Sequence, residues 1–369
     1  MKVVHWTWGN TSGMHRAAES ICEAEKRLGI DSRLAWTDSK DYIEHIFADI
    51  HVGHTFLPDE VWRQRPNVKV VWVGHATPEV IFSTAVEDGR KGRYGHGDSF
   101  MLMQYWMQHA DAMVTFWPRH HAILKSMMDK RSIIECFPLG IDKTFWKKIP
   151  SLGKYVGTPS VFTAENAYWM KWPLDLFIMW PWVTEKISSA RLHATYLPQD
   201  VHRWFFPLVN RNGASFYSYI SARKFSHEEL RNVFNSVDFY CGLVRYGDFN
   251  RICLEANACG CKTISWAGNP YSDFWIPEGD QRRGAEVLTE ILKGNVEPRA
   301  DKQEVADIDV TARLMIGLYE RVLDESTPKG VKVDVKPVVQ PIEKEINDHI
   351  KWIESVVPQQ RVSDGQDRP

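Results

Sequence analysis

The sequence predicts an α/β protein built from two doubly wound domains, and three observations lead to this prediction. Short apolar runs alternate with longer amphipathic segments along most of the 369 residues. This alternation is typical of a parallel sheet covered by helices. A polar break near residue 150 interrupts the pattern, which then starts again. A chain of this length is also expected to form about two domains of roughly 150 residues each.

The first predicted domain covers residues 1–150 and begins with the strand KVVHWTW. The helix that follows has apolar positions three and four residues apart and ends at Gly29, since glycine favours helix ends. Pro118 starts a second helix, because proline fits the first helical turn. The six predicted strands are 2–8, 31–36, 48–53, 69–75, 111–116 and 132–140.

The second predicted domain covers residues 151–325 and repeats the alternation. Ser226 followed by Glu229 is a capping box, the signature of a helix start. A helix over RICLEANACG ends at Gly260, and the apolar run KTISW follows as a strand. The predicted strands are 159–165, 191–198, 238–244 and 262–266, and the predicted helices are 171–187, 226–237, 251–260 and 311–325.

Residues 326–369 form a third region of different composition. It begins with an extended linker rich in Lys, Pro and Val, and continues into a short helix with a stripe of isoleucines. Its last residues are expected to be disordered. The short helix is expected to dock on its own chain, and docking on a partner is the alternative.

Composition narrows the class of protein. The net charge of −2 provides no global basic field for nucleic-acid binding, although a local basic patch stays open. The six cysteines form no CxxC pair, which indicates buried thiols in a reducing compartment rather than disulfides or a zinc site. The N-terminus lacks a signal core, and no apolar run reaches about 18 residues. We therefore expect a cytoplasmic protein (in the host cytoplasm if viral) without stable membrane insertion, as a monomer or weak dimer.

In the first domain, polar residues directly after strands are the first candidates for a ligand site, since doubly wound sheets bind ligands at the carboxyl ends of their strands. The loop WGNTSGMHR follows the first strand, and Gly13 would let backbone approach a ligand at the helix start. An ordinary turn is the alternative. His75 directly follows another strand and is a candidate for proton transfer or for a hydrogen bond to a substrate hydroxyl.

In the second domain, Lys171 stands near the start of a predicted helix, where an anionic ligand would offset the unfavourable helix dipole. A solvated surface lysine is the alternative. The loop RYGDFNR places Arg245, Asn250 and Arg251 ahead of the helix that carries Glu255, and its N–H groups form a second seat for an anion. A carboxylate such as Glu255 is suited to accept hydrogen bonds from two ribose hydroxyls; bonding to nearby backbone is the alternative.

The stretch LEANACGCKTISW resembles the signature of the group-1 retaining GT-B glycosyltransferases, in which two Glu residues separated by seven positions precede A-x-A-C-G and a strand. FPLGIDKTFW resembles the P-N-G-V-D-x-x-x-F stretch of that family, with Leu139 in place of Asn. The resemblance covers roughly residues 1–325. It implies a GT-B fold, with two doubly wound Rossmann-like domains facing a central cleft. It also implies that the first domain binds the acceptor and the second the nucleotide-sugar donor, with Glu255 on the ribose.

The sequence departs from the family pattern at the first Glu, which falls at Gly247 with Asp248 beside it. The resemblance implies that Asp248 substitutes at the transferred sugar and that His75 lies nearby, so these two are the candidate catalytic residues. Asn166 and Lys171 fall on the family's Arg–Lys phosphate pair, and Arg245 or Arg251 would supply the missing charge. The implied donor site comprises Gly13, Asn166, Lys171, Arg245, Phe249, Asn250, Arg251 and Glu255.

The helix motif, the aromatic-flanked Lys171 and the strand ending in Trp266 are also similar to phage DNA α-glucosyltransferases. Together with the basic loop GRKGRYGHGDSF, this similarity makes a hydroxymethylated pyrimidine in phage-type DNA the first expected acceptor. A glycan, a lipid-linked sugar and a small molecule are the alternatives.

The expected activity is retaining transfer of a hexose or pentose from a UDP- or GDP-sugar to an acceptor hydroxyl. No cofactor and no metal are expected, because cationic side chains and helix N-termini stabilise the leaving diphosphate. Two other classes stay open: an inactive GT-B module that binds DNA or glycan, and a sugar-nucleotide epimerase. Gly247 in the place of the family's Glu favours the inactive module.

Overall fold

The computed structural model shows two parallel sheets, each flanked by helices. No described helix is long and apolar enough to cross a bilayer. The structure describes residues 1–7, 13–37, 44–65, 67–75, 100–128, 132–150, 153, 158–164, 174–195, 220–221, 225–244 and 250–324.

The first sheet is entirely parallel and contains all six strands predicted for the first half. Its order, β2-β1-β3-β4-β5-β6, reverses between β1 and β3, and this reversal opens a crevice at the carboxyl ends of those two strands. The strands are β1 (Lys2–Thr7), β2 (Asp31–Trp36), β3 (Ile50–Gly53), β4 (Lys69–Gly74), β5 (Ala112–Thr115) and β6 (Ile133–Cys136).

The second sheet is also parallel, in the order β12-β11-β10-β7-β8-β9, and reverses between β7 and β10. The four predicted strands form its centre, and the sequence analysis missed the two edge strands β9 and β12. The strands are β7 (Ser160–Thr163), β8 (Arg191–Thr195), β9 (Ile220–Ser221), β10 (Phe239–Gly242), β11 (Lys262–Trp266) and β12 (Phe274–Ile276).

The helices around the two sheets include six of those predicted and three that the sequence analysis did not identify, namely α2, α3 and α8. The described helices are α1 (Gly13–Arg27), α2 (Asp59–Gln64), α3 (Phe100–His109), α4 (Pro118–Met127), α5 (Leu174–Lys186), α6 (His227–Ser236), α7 (Arg251–Ala258), α8 (Gln281–Lys293) and α9 (Ile308–Leu323).

Local signals set the ends of the helices near the crevices. The Ser226 side chain accepts a hydrogen bond from the Glu229 N–H while the Glu229 carboxylate accepts from the Ser226 N–H, which confirms the capping box. Helix α7 stops before Gly260, whose φ of 78° lies in the left-handed region that glycine tolerates best. The Cys261 N–H then donates to the carbonyl of Ala256, closing the turn that leads into β11.

Helix α9 follows the second sheet in sequence but packs against α1 of the first half. Arg27 forms an ion pair with Asp309 at 2.6 Å, and the Thr311 hydroxyl accepts a hydrogen bond from the Gly140 N–H at 3.0 Å. A Cβ at position 140 would lie 2.6 Å from the backbone oxygen of Asp307, so the turn requires glycine there. The chain thus returns to the first half, while the predicted boundaries at residues 150 and 325 stay predictions.

Candidate active site

Five of the predicted site residues lie in the described part of the chain: Gly13, His75, Asn250, Arg251 and Glu255. Each lies at the carboxyl end of a strand or in the helix that follows one, as the sequence analysis predicts for a ligand site. The other five predicted residues lie outside the described residues, so their roles stay predictions; they are Asn166, Lys171, Arg245, Asp248 and Phe249.

Glu255 lies in α7 with only 3% of its surface exposed. Its Oε1 accepts a hydrogen bond from Arg251 Nε at 2.9 Å, one helical turn earlier. Burial raises the pKa of Glu255, and the positive charges of Arg251 and then Arg16 oppose that rise. Within the described residues Oε2 has no hydrogen-bond partner, so one carboxylate oxygen is engaged and the other stays available.

Arg251 connects the two halves of the molecule. Its Nε binds Glu255, while its Nη2 donates a hydrogen bond of 2.8 Å to the Ser20 hydroxyl on α1 of the first half. The remaining nitrogen, Nη1, is buried and has no hydrogen-bond partner within the described residues. Because a buried guanidinium N–H without an acceptor is costly, this donor is suited to an anionic ligand.

Asn250 has a structural role in addition to any contact with a ligand. Its side-chain oxygen accepts a hydrogen bond from the Cys253 N–H at 2.8 Å, so Asn250 is the N-cap of α7. Its amide nitrogen donates to the Tyr240 hydroxyl at 3.3 Å. The first turn of α7 contains no acidic residue, which leaves the positive end of the helix dipole uncompensated by a carboxylate.

The start of α1 forms the facing side of the site. A Cβ added at Gly13 would meet nothing within 4 Å among the described residues, so the backbone there is open to a ligand. The first turn of α1 has no acidic residue. Arg16 follows on this turn. Its charge opposes the rise that burial causes in the pKa of Glu255, and it adds to the lowering that burial causes in the pKa of His227. The sequence analysis did not select Arg16, although this residue lies three positions after Gly13 in the loop WGNTSGMHR.

His75 directly follows β4 and is half-buried. Burial, followed by the charge of Arg251, lowers its pKa to about 3, so the imidazole is neutral near neutral pH. Its Nε2 lies 2.6 Å from Nδ1 of His54, the residue directly after β3. The structure therefore places a neutral ring near the cationic side chain of Arg251.

The sequence analysis missed the buried groups behind His75. His54 is 2.9 Å from His5, and His5 is 2.8 Å from Glu25, measured between side-chain nitrogen or oxygen atoms. His54, His5 and Glu25 are all buried. The available signals were a histidine inside an apolar strand and a carboxylate on the apolar face of α1.

No group of three or more His, Cys, Asp or Glu side chains in the described ranges is arranged to hold a metal ion. The six cysteines are free thiols, and five of them are buried. Burial raises the pKa of Cys253 to about 11, which suits a packing residue rather than a nucleophile.

No protein-family model and no curated protein matches this chain. Solved structures do match over most of its length. Sucrose-phosphate synthase from Thermosynechococcus elongatus is 14% identical with a TM-score of 0.60, over 95% of this chain and 99% of that one. Anabaena HepE, solved with UDP-glucose, is 11% identical with a TM-score of 0.57, over 95% and 100%. WaaG, a glycosyltransferase involved in lipopolysaccharide biosynthesis, is 12% identical with a TM-score of 0.59, over 79% and 90%.

At these identities the similarity establishes the architecture, and it agrees with the two parallel sheets and the helices that flank them. The chain has the GT-B fold.

Proposed function

We propose that this protein is a nucleotide-sugar-dependent glycosyltransferase that holds the donor between α1 and α7. The observation that carries the proposal is Arg251, which binds Glu255, reaches Ser20 across the halves, and keeps one buried N–H without a partner among the described residues. The GT-B fold supports it, since the similar structures include one solved with UDP-glucose and one that is a glycosyltransferase involved in lipopolysaccharide biosynthesis.

The chemistry follows from where negative charge develops. When the glycosidic bond to the nucleoside diphosphate breaks, the leaving diphosphate gains charge, and preorganised cations and N–H groups stabilise it without a metal. Arg251 and Arg16 supply cations, and the N-termini of α1 and α7 supply N–H groups. Lys171 completes this set in the proposal. The free Oε2 of Glu255 accepts a hydrogen bond from a ribose hydroxyl.

The acceptor in this proposal is a hydroxyl group, and a hydroxymethylated pyrimidine in DNA is the first candidate. Its support is the sequence resemblance to phage DNA α-glucosyltransferases in the α7 motif and Trp266. Glycans, lipid-linked sugars and small molecules are the other acceptors to test. Retention of the anomeric configuration belongs to the same proposal, on the resemblance to the group-1 family.

The test is a matrix of labelled UDP- and GDP-sugars against hydroxymethylated DNA, unmodified DNA, a lipid-linked sugar and a glycan panel. Transfer, or hydrolysis of the donor without acceptor, is expected from the wild-type chain and lost in Arg251→Gln. Arg299→Gln is the matched control, because the side chains of Arg251 and Arg299 are 13% and 15% exposed and the Arg299 guanidinium stacks on Trp275.

Each outcome separates the remaining candidates. Binding of a sugar nucleotide without turnover on any acceptor would favour the inactive module, which Gly247 suggests. Isomerisation of the donor sugar without an acceptor would show an epimerase. Transfer to glycans alone would exclude DNA as the acceptor while leaving the glycosyltransferase proposal intact.

A further inference from the structure

A continuous row of buried side chains runs from His75 at the crevice into the core of the first half. His75 Nε2 meets His54 Nδ1 at 2.6 Å, His54 Nε2 meets His5 Nδ1 at 2.9 Å, and His5 Nε2 meets Glu25 Oε2 at 2.8 Å. Each histidine in the middle of the row uses both ring nitrogens. The row therefore has a direction, which its end residues set.

The fold brings these residues together across three neighbouring strands. His5 lies in β1, and His54 and His75 directly follow β3 and β4, whose backbones pair in parallel register. Glu25 comes from α1, which packs against β1. The row thus crosses the point where the strand order of the first sheet reverses, and it ends at the crevice.

Glu25 is held by two further hydroxyl groups. The Ser32 hydroxyl donates to Oε2 at 2.7 Å, and the Tyr319 hydroxyl of α9 donates to Oε1 at 2.8 Å. Tyr319 makes no other hydrogen bond to a described residue, and burial, followed by the charge of Glu25, raises its pKa well above the ordinary value. The phenol is therefore a fixed donor, and Oε1 must be an acceptor.

The direction of the row follows from Glu25 as the shared acceptor of its three neighbours. A neutral His5 that donates from Nε2 to the carboxylate leaves its Nδ1 bare. His54 must donate from Nε2 to that bare nitrogen, which leaves its own Nδ1 bare. His75 must in turn donate from Nε2, since a neutral imidazole has one donor and one acceptor.

We propose that Glu25, acting through His5 and His54, fixes the tautomer of His75, so that His75 presents a bare Nδ1 to the crevice as a hydrogen-bond acceptor for a substrate hydroxyl. His75 makes no second hydrogen bond to a described residue, so this nitrogen is available. The nature of the hydroxyl, on donor sugar or acceptor, rests on the proposed function. Glu25, His5 and His54 are positioning residues, and the tautomer itself does not depend on that function.

The substitution Glu25→Gln gives a sharp expectation, because only one amide orientation satisfies the site. The amide oxygen must face Tyr319, whose buried O–H has no other acceptor among the described residues. The amide nitrogen then faces Ser32 and His5 and donates to both. His5 becomes an acceptor at Nε2, and the whole row reverses, so that His75 carries its proton on Nδ1.

The experiment is nitrogen NMR of the full-length chain labelled with ¹⁵N-histidine, in which long-range proton correlations distinguish protonated from bare ring nitrogens. The spectrum of His75→Asn identifies the His75 signals. Wild type is expected to show a bare Nδ1 at His75, and Glu25→Gln a protonated one. His51→Phe is the matched control, since His51 is equally buried, lies three positions before His54, and accepts a hydrogen bond from the Trp6 indole.

A protonated Nδ1 at His75 in the wild-type chain would overturn the proposal without any variant. An unchanged His75 tautomer in folded Glu25→Gln would also overturn it. The contact with a hydroxyl has a separate readout: kcat/KM should fall about tenfold in Glu25→Gln, the effect of one misdirected hydrogen bond, and stay unchanged in His51→Phe. If the protein turns over no sugar nucleotide, the proposed function is wrong. The tautomer of His75 still decides whether the proposal about Glu25 holds.

Discussion

The two halves of the molecule place different chemistry at equivalent edges of their sheets. At the first sheet, His75, His54 and His5 form a row of rings that ends in a buried carboxylate. At the second, a cation and a carboxylate pair within one helical turn, between Arg251 and Glu255. Both arrangements lie where a doubly wound sheet offers a ligand site.

The difference shows what each half is suited to recognise. A guanidinium with a spare N–H attracts phosphate, and its charge acts over several ångströms. A neutral imidazole with a fixed tautomer discriminates by direction, since it accepts from a hydroxyl and rejects another acceptor. Under the two proposals, the second half therefore recognises charge and the first recognises a hydroxyl, in keeping with transfer from a sugar nucleotide.

The largest expected effect is on stability and comes from Glu25→Ala. This change leaves His5 and Tyr319 without their shared acceptor, whereas the Ser32 hydroxyl keeps Cys22 Sγ as an acceptor at 3.4 Å. Each buried unsatisfied group costs about 1–3 kcal/mol. The free energy of unfolding in urea should fall by about 4 kcal/mol or more. Glu23→Ala on the same helix is the control, because Glu23 is exposed and forms a surface ion pair with Lys26. Equal stability of the two variants would contradict the buried network.

Arg251→Gln has the next largest expected effect on stability and tests the ion pair between Arg251 and Glu255. Removing one partner of a buried ion pair costs about 3 kcal/mol or more, because Glu255 keeps a desolvated charge. The proposed donor contact adds a loss in kcat/KM of about 100-fold, the value of a charge-assisted hydrogen bond.

The double variant Arg251→Met with Glu255→Leu separates these two effects. It removes both charges, so stability should return toward wild type while activity stays lost. Thermal unfolding and donor turnover measure the two quantities on the same samples. Recovery of turnover in the double variant would remove Arg251 and Glu255 from the site.

The sequence analysis selected Arg251 and Glu255 but missed the residues behind His75, and the reason is physical. Glu255, Arg251 and the stop at Gly260 follow each other along one helix, so local spacing identified them. Glu25 and His5 are 20 residues apart and meet only because α1 packs on β1. No local pattern relates Tyr319 to Glu25, because the return of α9 to the first half is a tertiary event.

Local signals were also overlooked. Asp280 caps the start of α8, and Gly294 with a φ of 80° ends it, so the sequence contained both marks of a helix that was not predicted. Strand β12 is three residues long and belongs to the sheet only through pairing with β11. Such a short edge strand has too few residues for a periodic pattern.

Acid should affect His51 and Glu255 in opposite directions. Burial lowers the pKa of His51 in the first half to about 4, so between pH 4 and 6.5 the unfolded chain binds this proton and the folded chain does not. Stability from this group is therefore complete above pH 6.5 and falls by about 1.4 kcal/mol per pH unit below it. Glu255 has a raised pKa, so its contribution decreases as pH rises above its ordinary value.

The slope of unfolding free energy against pH measures this contrast. Between pH 4 and 6.5, His51→Phe should reduce the slope by the amount that corresponds to about one bound proton. Glu255→Gln should make the slope steeper at the acidic end of this pH range. Parallel curves for wild type and His51→Phe would contradict a neutral, buried His51.

The smallest expected effect comes from Tyr319→Phe, which tests the end of the histidine row at Glu25. Tyr319→Phe removes one donor to Glu25 and leaves Ser32 and His5 in place, so the carboxylate stays satisfied at Oε2. The loss should be about 1–3 kcal/mol, because Oε1 is left buried without its donor, and urea unfolding measures it. Arg27→Gln is a useful reference, since it breaks another α1–α9 contact that is half-exposed and worth less than about 1 kcal/mol. A loss in Tyr319→Phe as large as that of Glu25→Ala would mean that Tyr319, and not the carboxylate, holds the row together.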